Sequence, residues 1–545
     1  MKKYLCRICA FLTALAIICA AFSGCSDTVK DAEIRLPLAA EPLTLDPQIA
    51  ESAESRTVVA NCFEGLMKLD ENGKPVPAAA SSTAISSDGL VYEFKLHEDK
   101  KWHINSNHEA LFGENWENAI DLRVTAQDFV FGLRRALLPE TKAPDAQRLY
   151  MIKNAEKVHK GELPATQLGV EAVGEFTVRI TLEYQSGEFL TVLSEPVAMP
   201  CKQVFFEATG GRHGLGAEYI LCNGSFYLSR WYKNSTIILR RNADNPQAQA
   251  KIYSVTYAFT QDPEIILEKM SDGTYTAAPV TADMIPALES EGCTVKEFKN
   301  TVWGLAFNCA DAAMKSTRLR LALIMATDFG EIISVAEPQM NGRANGIIPP
   351  SCMMDGISYA EHAPSVGLLG YDEAAAKKYF NEYSDGSMCE ITVLCTQAYE
   401  TAVRRIIQNW QQLFGINISA KVEVLEEAEL DSRINSGNYQ LALTDISTAA
   451  QTPAQFLSAF ANGSNICRLN SKTYNKLINQ LNMASGQNSV IEGCTKAQQF
   501  IIQNGVFCPL FFTSSYSAVN NRTRNVVFSH SGNIINLTNT EILKN

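Results

Sequence analysis

The stretch from 391 to 424 constrains the fold more than any other part of the chain. Residues 391–395 (ITVLC) are β-branched or apolar and lead into a helical stripe of Val403, Ile406, Ile407, Trp410, Leu413 and Phe414. Gly415 stands where such a helix would stop, and a second strand pattern runs over 416–424. Strand, helix and strand in that order require a crossover, so the two strands should pair in parallel. A helix over 427–436, Gly437 and a strand over 439–446 repeat the unit. At least this half of the chain is therefore α/β.

Alternating strands are expected over 34–38, 90–96, 176–182 and 252–260, and a hairpin joins 226–231 to 235–241. Helices are expected over 56–66, 264–270 and 318–327, and over 373–380 behind an Asp372 cap. A strand-like WGLAFN opens at Trp303. The best-capped helix starts at Thr125, with Asp128 in position to reach back to the cap's own N–H. Phe129, Val130, Leu133, Ala136 and Leu137 form its apolar face, and Pro139 ends it. Residues 103–122 read as a polar excursion loop, and the glycine-rich 210–216 as a flexible loop rather than a phosphate cradle.

Lys2, Lys3 and Arg7 precede an uncharged apolar run over 8–22 that ends in Phe22-Ser23-Gly24-Cys25. That run is too short for a membrane span and suits a secretory signal. Residues 1–24 are expected to be a lipoprotein signal, Cys25 the lipidated residue, and 25–33 a tether. Ordinary secretory cleavage beside an incidental cysteine is the alternative. Removing three cations takes the net charge from −12 to −15, and no Lys/Arg-rich stretch offsets it. Nucleic acid is not an expected partner. Four of the 15 cysteines lie at or before Cys25, and the other eleven are scattered without paired spacing. No disulfide framework is expected, though a single bridge stays open.

No nucleophile-elbow, Walker or dinucleotide motif occurs. His97, His103 and His108, with Glu98, Asp99 and Glu109, lack the spacing that puts two imidazoles on one helix face. A solvated loop is the expectation there; an enzyme built on it ranks last. The chain reads as one that binds and does not react, with no cofactor and no metal.

The segments that carry a resemblance run in order along almost all of the mature chain. They include Glu41-Pro42-Leu43-Thr44-Leu45-Asp46-Pro47, Phe63-Glu64-Gly65-Leu66, Tyr92-Glu93-Phe94-Lys95-Leu96, Lys101-Trp102, the 124–129 segment, Asn223-Gly224-Ser225-Phe226, Phe307-Asn308 and the 318–328 segment. On these the chain resembles the bacterial peptide/nickel solute-binding proteins of ABC importers, in particular the oligopeptide-binding branch. The resemblance implies an α/β, two-lobed periplasmic-binding-protein-like fold (type II, cluster C-like) with an extra inserted domain. It implies a discontinuous lobe I (34–66, 201–295 and 506–545), an inserted domain (67–200) and a lobe II (296–505). It further implies a monomer that holds an oligopeptide-like ligand between its lobes and hands it to ABC permease subunits. A sensor or surface-interaction protein of the same fold, without transport, is the alternative.

The departures concern the ligand. Aligned on Pro453, the carboxylate with which relatives of this kind anchor a peptide ammonium falls at Ala449, and their tryptophan at Ile446. Asp445, four residues earlier, either substitutes for that carboxylate or the ligand has no free N-terminus there. Arg433, Thr444, Asp445 and Ile446 are the expected ligand-bordering residues. For Arg433, pairing with a surface carboxylate is an equal alternative.

Overall fold

The computed structural model describes residues 28–70, 72–245, 250–336, 342–354, 356–447, 452–463 and 465–544. The expected signal segment, Cys25 and Ala449 lie outside the described residues.

The chain enters as β1 (Ala32–Leu38), followed by α1 (Ala53–Cys62), whose Ser52 hydroxyl accepts from the Ser55 N–H. This helix ends earlier than the apolar pattern suggests, because Phe63 is already extended and turns its ring onto Trp102. The next strands, β2 (Ala80–Ile85), β3 (Val91–Leu96), β4 (Val170–Gly174) and β5 (Thr177–Thr181), form an antiparallel sheet in the order β2-β3-β5-β4. The helix α2 (Ala126–Ala136) packs across it. The chain then returns as β6 (Phe226–Tyr232), β7 (Thr236–Arg241) and β8 (Ile252–Phe259). β8 lies parallel to β1, giving the order β1-β8-β7-β6, and the expected hairpin is present. One buried cluster runs continuously through both sheets.

The α2 cap forms as its residues dictate: the Thr125 N–H donates to the Asp128 carboxylate at 2.9 Å. That carboxylate also accepts from Trp102 Nε1 at 3.0 Å and Lys202 Nζ at 3.2 Å, so a local cap doubles as a tertiary junction. On the same helix Arg135 reaches Asp46, which is only 1 % exposed. Arg135 Nη1 donates to Asp46 Oδ1 at 2.7 Å and to Gln48 Oε1 at 2.6 Å, and Nη2 pairs with Asp46 Oδ2. The glycine-rich 210–216 segment closes this junction. His213 is buried 3.4 Å from Asp46, and a Cβ on Gly214 (φ +76°) would fall 2.2 Å from the Asp46 nitrogen. The Gly214 end of the expected flexible loop is thus packed backbone, while Gly210 and Gly211 face open space. The 103–122 excursion holds short helical turns at Ser106–His108, Glu109–Phe112 and Gly113–Asn118.

A six-stranded sheet makes the second part. It contains β9 (Ala277–Val280), β10 (Thr294–Phe307), β11 (Cys389–Thr396), β12 (Ile418–Leu425), β13 (Leu441–Ser447) and β14 (Phe507–Val519). Their order is β9-β14-β10-β13-β11-β12. β11 pairs in parallel with both β12 and β13, as the crossover requires, and α3 (Glu400–Phe414) and α4 (Glu427–Ser436) make the connections. The α3 stripe buries Val403, Ile406, Ile407, Trp410 and Phe414, with Phe414 stacked on Phe380 at 4.3 Å. Gly437 ends α4 at φ +77°.

β10 begins nine residues before Trp303 and runs antiparallel to β14 from Thr294 opposite Val519 to Ala306 opposite Phe507. This pair carries the chain from β9 into the parallel half of the sheet. Its register slips between Phe298 and Thr301, and there the buried Asn300 donates to Ser515 Oγ at 2.8 Å and to the Ser531 carbonyl at 2.6 Å. No helix among the described residues is long and apolar enough to cross a membrane.

Candidate ligand-binding site

In an open sheet with parallel strands, the carboxyl ends of the strands offer a crevice that side chains can line. At that end of β11 and β13 three strands bring one row of side chains together. Asp445 on β13 faces Trp303 on β10, and Trp303 faces Phe511 on β14. Tyr399, just past β11, packs its ring 4.4 Å from that of Trp303, while Phe511 lies 6.2 Å from it and nearly parallel. Trp303 is held in place by its Nε1, which donates to Thr513 Oγ1 at 3.2 Å.

Asp445 is half-buried and has no cation within ion-pair distance among the described residues. Burial pushes its carboxyl above the usual range; the Ser447 hydroxyl and its own backbone pull it down, and Asp431 and Glu427 add to the upward push. A carboxylate withdrawn from water without a counter-charge is costly, and a ligand ammonium would relieve that cost. An aromatic floor beside it suits the same cation. The arrangement is a binding surface with a negative focus.

Strand alternation separates the other expected residues. Thr444 and Ile446 point to the opposite face from Asp445: Thr444 is 4 % exposed, and Ile446 packs on the cluster of Val302, Phe456 and Phe507. They abut the site through the backbone. Arg433 lies elsewhere, at the far end of α4, where Nη1 pairs with Glu423 at 3.0 Å and Nε donates to the Asn438 carbonyl at 2.8 Å. Asn438 precedes β13, whereas Asp445 is four residues beyond Leu441 at its start, roughly 13 Å along the strand. Arg433 therefore lies towards the amino end of β13 and Asp445 towards its carboxyl end. The aromatic residues Trp303, Tyr399 and Phe511 escape sequence reasoning, although the placement of Trp303 and Phe511 on alternating strands carries a weak signal.

Two of the three clustered histidines, His103 and His108, are held in structural contacts. His103 stacks on Tyr227 at 3.7 Å with Nδ1 2.7 Å from Asp244, and His108 lies buried between the carbonyls of Asn105 and Ile220, each 3.1 Å away. Burial lowers the proton affinity of both rings. No group of three metal-ligating side chains occurs among the described residues.

Fold and site together define an α/β binding protein of the two-lobed type II periplasmic kind. The chain belongs to the bacterial extracellular solute-binding proteins, family 5, whose middle region matches residues 74–466. It is 22 % identical over 532 residues to the oligopeptide-binding protein OppA of Bacillus subtilis, covering 94 % of this chain and 93 % of that one. It is 25 % identical to the periplasmic oligopeptide-binding protein OppA of Salmonella typhimurium, covering 92 % of each. Among solved structures, peptide-bound OppA of Listeria monocytogenes superposes with a TM-score of 0.72 at 20 % identity, covering 94 % of this chain and 100 % of that one.

Proposed function

We propose that the chain is a lipid-anchored extracytoplasmic receptor that captures an oligopeptide-like ligand between its lobes and delivers it to an ABC permease. The observation that carries this reading is Asp445, a half-buried carboxylate with no cation beside it among the described residues, set against Trp303 at the carboxyl ends of parallel strands. In this reading Asp445 replaces the anchor missing at Ala449 and holds the peptide ammonium, with Thr444 and Ile446 bordering it through the main chain. Relatives named for oligopeptide binding support the ligand class. Lobe I comprises 34–66, 201–295 and 506–545, the inserted domain 67–200 and lobe II 296–505. The long β10–β14 pair is then the connection about which the lobes close. Cys25 carries the lipid.

The test is a thermal-shift and calorimetric screen of peptide pools, free and N-acetylated. A cleft ligand at about 100 times its Kd stabilises the fold by roughly 2.7 kcal/mol. Free peptides should bind, and acetylation or Asp445→Asn should weaken them by about 2 kcal/mol, roughly 30-fold. Equal binding of free and acetylated peptides would remove Asp445 from the role of anchor.

A further inference from the structure

Arg433 stands towards the amino end of β13, away from Asp445, and lines a cavity there. A cavity of about 560 Å³ opens at the amino end of β13, under the last turn of α4. Its charged lining is Arg433, Arg468, Asp311 and Glu423, with Thr392 and Gln440 between them. Two guanidiniums and two carboxylates leave the lining formally neutral, so a ligand of net charge gains little there.

Arg433, Arg468, Asp311 and Gln440 are each anchored by one part and, among the described residues, unspent in another. Arg433 uses Nε and Nη1 on Asn438 and Glu423, and its Nη2 makes no hydrogen bond among the described residues. Arg468 uses Nη2 on the carbonyls that end α4, Ile434 at 3.2 Å and Asn435, and leaves Nη1. Asp311 caps Ala313 and Met314 through Oδ1 at 2.9 and 3.0 Å and leaves Oδ2. Gln440 gives Oε1 to the Thr392 N–H at 2.7 Å, where a neighbouring strand would otherwise pair, and leaves its amide donors. The side chains are thus held in place while cationic donors and anionic acceptors remain in one cavity.

We propose that this cavity is a second, separate binding site that takes a small zwitterion of the free amino acid class. The ligand carboxylate meets the guanidiniums of Arg433 and Arg468. Its ammonium meets Asp311, while Glu423 stays paired with Arg433. Matching opposite charges at both ends satisfies the lining without leaving an unpaired ion.

Isothermal titration of the full chain with glycine and glutamine tests this, with acetate and methylamine as the two half-ligands. One equivalent of amino acid should bind, each half-ligand at least tenfold more weakly. Arg433→Gln and Asp311→Asn should each weaken amino acid binding at least tenfold while thermal unfolding of the free protein keeps its cooperativity. Three results would overturn the site: no saturable amino acid binding, acetate binding as tightly as glycine, or full retention of binding in Arg433→Gln. Amino acid binding abolished by Asp445→Asn would place the ligand in the cleft and equally overturn it. Failure of peptides to bind bears on the cleft alone.

Discussion

The junction of Asp46 and Arg135 allows a quantitative prediction. Replacing Arg135 by Met keeps much of the stem volume but removes the guanidinium that donates to Asp46 and Gln48 at 2.7 and 2.6 Å. Asp46 is then left with the Gln48 N–H at 3.2 Å and His213 at 3.4 Å, still almost wholly out of water. Stranding one member of a buried pair costs about 3–5 kcal/mol, whereas removing both charges is often close to neutral. Burial by itself would raise the Asp46 carboxyl, but His213 and Arg135 outweigh it and hold the group far below the usual carboxylate range. A depressed folded value means that its contribution is present above the unfolded value near 4 and is lost only as pH falls towards the folded one. Urea unfolding at neutral pH should therefore show Arg135→Met about 3–5 kcal/mol less stable. The double variant with Asp46→Asn should recover most of that. A single-variant loss below about 1 kcal/mol, or losses that simply add in the double variant, would refute the argument.

Asp445→Asn should stabilise the unliganded protein: a raised folded carboxyl favours folding most below the unfolded value and loses that advantage as pH rises through the folded one. Urea titrations at acid and neutral pH should show this decline in the wild type and a flatter profile in the variant. Gly214→Ala should destabilise by more than about 1 kcal/mol, because its left-handed φ and the 2.2 Å approach to Asp46 both resist a Cβ. Thermal unfolding would register it. Cys25→Ala should move the protein from the membrane fraction to the soluble extracytoplasmic fraction on immunoblotting.

What the sequence determined by itself was whatever depends on near neighbours. The βαβ unit, the α4–Gly437 stop and the Thr125–Asp128 cap formed as their spacing required, because a helix period, a C-terminal glycine and a capping carboxylate act within a few residues. Asp445 was singled out only through the resemblance, by alignment on Pro453; its own spacing does not mark it. Tertiary structure decided the partners. Asp46 and Arg135 are 89 residues apart, and Trp303 and Phe511 meet only because β10 and β14 pair across two hundred residues. Arg433 is held by Glu423 and the Asn438 carbonyl, partners that no spacing along the chain encodes. The glycine-rich 210–216 stretch reads as loose in isolation, yet its His213 and Gly214 pack tightly because a buried ion pair from two distant segments lies beneath them. Charge burial is a property of the assembled surroundings, and only the folded chain supplies them.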